Sequence, residues 1–266
     1  DYSRMRFSYQ EYFERMTDDR HTWGKPLSAL LGTLKMQVAL GLPSIGGKDS
    51  MSGTFEHISV PPTLIAFGIT TVKADQVIST DLKKAGNRLY LLQHKPLKNY
   101  MPDTDQLKQL WFDTTKAIHA GKIVSAYAIG FGGVCEALAK MSFGNAKGAD
   151  IRIDESLLFD YQYGSILVEA TEELNIPSAI LLGQVTESEN LVINGESVRR
   201  EQLYEACTTP FRKVYPATMT PQHSDLMPKG VEHKAPIVYI PVFPGTNCDY
   251  DSAKAWRKAG AEVEVT

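Results

Sequence analysis

"GLPSIGGKDSMSGT", residues 41–54, decides which fold this chain can have. It comes close to the phosphate-binding pattern G-x-x-x-x-G-K-[ST]. Gly41 and Gly46 keep the spacing, but Gly47 stands at the lysine position, Lys48 comes one residue late, and Asp49 replaces Ser or Thr. The flanks settle the matter. Upstream, Pro26 opens a pattern in which Leu27, Leu30, Leu31, Leu34 and Val38 share one apolar helix face. Gly41 and Pro43 close that helix, as a C-terminal glycine and a following proline do. Downstream, "PPTLIAFGITTV" (61–72) is a β-rich run bounded by prolines and reads as a mostly buried strand. The order is helix, glycine segment, strand, whereas a P-loop runs strand, loop, helix. The stretch is therefore an anion cradle of another kind or a glycine-rich turn.

Further along, Arg88–Gln93 reads as a buried strand. The segment 105–122 reads as an amphipathic helix with Leu107, Leu110, Trp111, Thr114 and Ile118 on one face and Gly121 as its stop. "GFGG" (130–133) leads into a second helix whose inner face is Val134, Ala137, Leu138 and Met141. "GADIRID", "GSILVEA" and "SAILLGQVT" read as strands. Strands and helices mix without strict alternation, which predicts an α/β domain with a mixed sheet. Residues 208–236 carry prolines and no periodicity and read as a linker or long surface loop. The last thirty or so residues read as strand, turn, helix, strand, a βαβ start.

The 266 residues have a formal net charge of −3, which gives no reason to expect a nucleic-acid partner. No apolar run is long enough for a membrane span, and the N-terminus has no signal-peptide pattern. Cys135, Cys207 and Cys248 are far apart and form no C-x-x-C pair, so free thiols in a reducing, cytoplasmic compartment are expected. The start without Met suggests a piece of a longer chain.

Two stretches carry candidate chemistry. In Gly46-Gly47-Lys48-Asp49-Ser50, paired glycines let backbone approach an anion. Lys48 offers a mobile charge, Ser50 a hydroxyl, and Asp49 a carboxylate to hold Lys48 or help bind Mg²⁺. The competing reading is a turn with solvated charges. In the second stretch, Gly130, Gly132 and Gly133 precede a helix whose free N–H groups and dipole favour an anion. The competing reading there is close helix–strand packing. Cys248 sits near a helix N-terminus, but no base is placed beside it by sequence, and it reads as structural. His119 reads as a helix C-terminal dipole partner, and the six histidines form no metal-spaced pair.

Taken together, "GLPSIGGKDSMSGT" with "PPTLIAFGITTV", "GFGGVCEALAKMSFGN" and "IPVFPGTNCDYDSAKAWRKAGAEV" resemble large-type phosphoribosylformylglycinamidine synthase, in order and spacing. The resemblance implies an aminoimidazole ribonucleotide synthetase-like fold. It implies three parts: the end of a second small synthetase domain (1–75), a second large domain with linker (76–228), and the opening of a class I glutaminase domain (229–266). The implied activity is an ATP-dependent C–N ligase of purine biosynthesis. Glutamine supplies ammonia, ATP with Mg²⁺ activates formylglycinamide ribonucleotide, and ammonia displaces phosphate. Glutamine would act through a part outside this chain, the rest of the same polypeptide would be the partner, and no catalytic residue falls here, so the chain alone is expected to be inactive. Alternatives are a degenerate nucleotide-supported scaffold or a sibling aminoimidazole ribonucleotide synthetase.

By resemblance, Gly47, Lys48 and Ser50 occupy the places where small-type relatives read G-N-x-S, with Lys48 replacing a metal-binding Asn. Ala128 to Gly133 stand where many relatives read D-R-S-D-G-G. Ala128 replaces a metal-binding Asp, so the implied metal ligands of this half are unknown.

Overall fold

The computed structural model describes residues 2–212, 214–215 and 234–266. The chain divides into two compact units, Asp1–Tyr215 and Pro216–Thr266. The boundary expected at 228/229, and most of the expected linker, lie outside the described residues.

The first unit opens with strand β1 (Arg6–Tyr12), helix α1 (Arg20–Leu40) and strand β2 (Ser44–Ser50). A two-residue hairpin pair, β3 (Thr54–Phe55) and β4 (Ile58–Ser59), leads to β5 (Thr63–Ile69). These build a three-stranded sheet in the order β2-β1-β5, with β2 parallel and β5 antiparallel to β1. Helix α1 begins six residues before Pro26, where Asp19 caps it by accepting from the His21 N–H (3.0 Å). Pro26 is thus an interior residue, the seventh of the helix, where it gives no N–H to the helical ladder, and it is buried. Gly41 ends α1 in the left-handed conformation (φ 70°), where a side chain would be strained.

Three sequence expectations change here. The "GGKDS" segment is a strand, because β1 supplies a parallel partner from Phe7 to Tyr12 that local propensity cannot reveal. The β5 run is a strand, yet Leu64, Ile65, Phe67 and Ile69 are exposed. The α1 face of Leu27, Leu30, Leu31, Leu34 and Val38 is likewise open, with Val38 73% exposed. The apolar patterns are right, but no described part of the chain covers them.

The rest of the unit surrounds a seven-stranded sheet. In chain order its elements are β6 (Arg88–Leu92), α2 (Thr104–His119), β7 (Ile123–Ala128), α3 (Gly133–Phe143), β8 (Gly148–Ile151), α4 (Glu155–Leu158), β9 (Ile166–Ala170), β10 (Ala179–Thr186), β11 (Asn190–Ile193), β12 (Glu196–Arg199) and α5 (Arg200–Thr208). The strand order is β12-β11-β8-β10-β6-β9-β7. The β8–β11 pair is parallel and the other pairs are antiparallel, so the sheet is mixed. Here the expected core is filled. Val134, Ala137, Leu138 and Met141 of α3 are fully buried against Leu89, Leu91, Ile151 and Leu167. Leu110 and Ala117 of α2 pack with Tyr90, Leu92, Ile123 and Val168 in a second cluster. At roughly 25 cal/mol per Å² of apolar surface removed from water, such clusters carry most of the driving force for folding.

The second unit holds a parallel pair, β13 (Ile237–Ile240) and β14 (Glu262–Val265), joined through α6 (Asp249–Lys258). Among the described residues no helix is long and apolar enough to cross a membrane.

Candidate functional site

The strand pairing builds a cleft around Gly46–Asp49. Register places Tyr9 beside Gly47, Gln10 beside Lys48 and Glu11 beside Asp49. Paired residues in parallel strands leave the sheet on the same face, and neighbours alternate. Tyr9, Glu11, Gly47 and Asp49 therefore share one face, while Lys48 alternates to the other face of β2, an edge strand, and still borders the cleft. Leu30, Thr33 and Gln37 of α1 complete a cleft of about 300 Å³ above that face, lined also by Ser44, Gly46, Lys48 and Met51. Gln37 Oε1 accepts from the Ser44 N–H (2.9 Å) and ties the end of α1 to the start of β2.

The two glycines differ in what they permit. A Cβ on Gly47 would lie 2.7 Å from the Tyr9 carbonyl oxygen, so glycine is required there for the strands to pair. A Cβ on Gly46 would meet open space. Gly47 is accounted for by packing, and Gly46 leaves backbone accessible.

Glu11 was not singled out by the sequence. It is only 6% exposed, and it forms no hydrogen bond or ion pair among the described residues. Burial first, and the Asp49 carboxylate second, push its pKa up. Burial also pushes the Tyr9 phenol up.

At the other candidate stretch, Gly132 caps α3. Its N–H donates to Glu136 Oε2 (2.7 Å), and Glu136 Oε1 accepts from Lys140 Nζ (2.5 Å). Lys140 also lies 5.9 Å over the Tyr127 ring. The Gly133 N–H donates to the Gly130 carbonyl (3.1 Å). The anion seat expected from Gly130, Gly132 and Gly133 thus already holds a carboxylate from its own helix. Bonds to Lys140 and to the Gly132 amide hold the Glu136 carboxyl below its usual range, and the bond to Glu136 helps push Lys140 up to about 12. Gly133 is needed for packing: its φ is 64°, and a Cβ would meet the Leu158 carbonyl at 2.5 Å. Between the glycines, exposed Phe131 stacks on Tyr161 with ring centroids 5.0 Å apart.

Two buried polar groups also escaped the sequence reading. Glu169 on β9 is fully buried and accepts from Lys83 N (2.7 Å), Lys84 N (3.0 Å) and Asn87 Nδ2 (2.6 Å). His94 is 1% exposed, and the Asp103 N–H donates to its Nε2 (3.1 Å). Nδ1 therefore carries the hydrogen and donates to the Tyr163 carbonyl (2.9 Å). Both groups are satisfied anchors of the segments flanking β6. Their partners are distant in sequence and come together only in the fold.

Cys248 is exposed and caps α6 in the left-handed conformation (φ 63°). His119 ends α2, as expected. Among the described residues no group of three or more His, Cys, Asp or Glu side chains assembles as a metal site.

The mixed sheet with a smaller helix-bearing layer defines a class: the aminoimidazole ribonucleotide synthetase-like α/β fold seen in PurL and in the hydrogenase maturation protein HypE. The chain aligns with T. maritima PurL complexed with AMPPCP at a TM-score of 0.59 and 14% identity, covering 96% of this chain and 44% of that one. HypE aligns at 0.55 and 14% identity, covering 73% and 75%. Among curated proteins, the chain is similar to phosphoribosylformylglycinamidine synthase subunit PurL of Pyrobaculum aerophilum. The two are 25% identical over 142 residues, 48% of this chain and 20% of that protein. The chain thus spans about a fifth of the length of that relative. No protein-family model matches.

Proposed function

We propose that this chain is part of an ATP-dependent C–N ligase that converts formylglycinamide ribonucleotide and glutamine to the amidine ribonucleotide. The observation that carries the reading is the similarity to PurL over 142 residues, in a chain whose fold has PurL among its neighbours. T. maritima PurL has been seen with ATP and with FGAR, which supports those ligands here. In this reading the α1–β2 cleft is the ligand-contacting region of the chain. Gly46 and Gly47 bring backbone close, and Lys48, which also lines the cleft, serves a phosphate; Ser50, at the end of β2, lies outside the cleft lining. Residues 229–266 are the opening of a glutaminase domain. The exposed face of α1 and β5 is covered by the remainder of a longer polypeptide, which also supplies the catalytic residues.

A second reading, a nucleotide-supported scaffold without its own catalysis, is favoured by one observation: Glu136 fills the Gly132 N–H. Ligand contact at Gly130–Gly133 would require that carboxylate to swing away.

Calorimetric titration of the chain with ATP, ADP and formylglycinamide ribonucleotide tests the proposal. Binding of at least one is expected, weakened about ten- to a hundredfold in Lys48→Ala, the cost of one charge-assisted hydrogen bond. No binding of any of the three would overturn it. Binding that ignores Lys48→Ala but gains in Glu136→Gln would move the site to the Gly130–Gly133 turn.

A further inference from the structure

We propose that the trough beside Tyr2 and Trp111 takes a free medium-chain fatty carboxylate, its alkyl chain against the apolar walls and its carboxylate at Lys116 and His119. This site goes beyond the proposed ligase function and does not rest on it.

Two cavities of the first unit adjoin there. The larger, about 430 Å³, lies between the start of the chain, the end of α1 and helix α2, and Phe7, Leu42, Trp111 and Ile166 are among its walls. The other, about 340 Å³, runs along α2 past Phe112 to Lys116 and His119. Tyr2, Trp111 and Thr115 line both. At that join the rings of Tyr2 and Trp111 meet edge to face, with centroids 5.3 Å apart. Each volume falls in the range of small-molecule sites, roughly 300–1,000 Å³. On α2, residues 111, 115 and 119 are i, i+4 neighbours, as are 112 and 116. The helix thus supplies a floor that changes from aromatic to basic along its length.

The walls set the chemistry of the occupant. The larger cavity offers no counter-charge, and one of its polar side chains is already committed: Thr114 Oγ1 donates to the Leu110 carbonyl (2.7 Å). It therefore favours apolar surface and disfavours a charge. At the other end, Lys116 and His119 form no ion pair or side-chain hydrogen bond among the described residues, and no Asp or Glu lines either cavity. Both sit in the last turn of α2. The helix end carries about half a negative charge, less than the full positive charge of Lys116, so an anion is still attracted. His119 adds a ring N–H donor. A neutral hydrocarbon would leave the basic end unused, and a phosphate would leave the apolar walls in water. A carboxylate on an alkyl chain satisfies both.

The test is calorimetric titration of the 266-residue chain with octanoate, decanoate and octanol below their micelle or solubility limits. No nucleotide is present, so failure here is separate from failure of the ligase reading. One decanoate per chain is expected. Each buried methylene is worth about fourfold in affinity, so decanoate should bind about fifteenfold tighter than octanoate. Octanol, which lacks the charge, should bind at least about fivefold more weakly than octanoate. Lys116→Glu should weaken both carboxylates at least about fivefold and leave octanol unchanged. Thr115→Phe, which fills the join, should abolish binding of all three. Lys116 is exposed, so Lys116→Glu keeps the test alive if Thr115→Phe fails to fold. No decanoate binding at millimolar concentration would overturn the proposal, as would equal affinity for octanoate and octanol, or decanoate binding unchanged in Lys116→Glu. Binding that survives in folded Thr115→Phe would also overturn it and move the amphiphile to the open α1–β5 face.

Discussion

Glu169 shows what a single residue does for this fold. Its carboxylate gathers two backbone amides and the Asn87 side chain, pinning the segment that enters β6 to the neighbouring strand β9. Glu169→Gln turns one acceptor into a donor facing donors. With each charge-assisted bond worth about 1.5–3 kcal/mol, the expected loss is about 3 kcal/mol, or roughly 6–12 °C in melting temperature. Urea and thermal denaturation of the variant measure it, and a change below about 1 kcal/mol would contradict the assignment. Residues of this kind were not legible in the sequence, because a buried glutamate and a solvated one read alike until the chain is folded. Glu11 was hidden for the same reason: its meaning comes from pairing with Asp49, a long-range register. Lys48 and Asp49 were legible as a charged pair in a glycine segment. That they leave on opposite faces was not, because the segment has poor strand propensity and is made a strand by β1.

At the scale of elements, α3 was read almost entirely from its period of buried residues, since an amphipathic helix writes its core face into local sequence. Its N-terminus was only half legible. The glycines were visible, while the carboxylate that fills the Gly132 N–H comes from a loop-back bond of the helix itself. The Glu136–Lys140 pair predicts a pH signature. Glu136 has a depressed folded pKa, so its contribution is present above the ordinary carboxylate range and lost as pH falls through the lowered value. Lys140 is raised to about 12, so its contribution is full below its ordinary value and lost as pH climbs toward about 12. The stability difference between the parent and Glu136→Gln should be flat from about pH 5 to 10 and fade at both extremes. Because both side chains are about a third exposed, it should stay under about 1 kcal/mol. Amide exchange across α3 as a function of pH checks the window, and a difference that peaks above pH 12 would contradict it.

At the scale of the molecule, the two sheets of the first unit differ in kind. The seven-stranded sheet buries its apolar faces within the chain, and the three-stranded layer leaves α1 and β5 open. An open apolar face of this sort normally marks an interaction surface. The isolated chain is therefore expected to self-associate with rising concentration, and a Leu31→Glu/Leu34→Glu variant to shift toward monomer in sedimentation velocity. A chain that stays monomeric at high concentration, with the variant unchanged, would show that the face needs no cover. The apolar periodicity was legible, but whether anything covers it was not, because a hydrophobic pattern names a buried face without naming its partner.

The central claim is that the cleft formed by α1, β1 and β2, and not the Gly130–Gly133 turn, is where this chain meets a phosphate-bearing ligand. A crystal structure with AMPPCP and Mn²⁺ tests it most directly, because the anomalous signal of the metal marks the phosphates independently of the nucleotide density. The account predicts phosphate density, with its metal peak, in the cleft beside Gly46–Asp49. A peak beside Phe131 and Gly132 with Glu136 swung out, or nucleotide density that leaves the cleft empty, would contradict it.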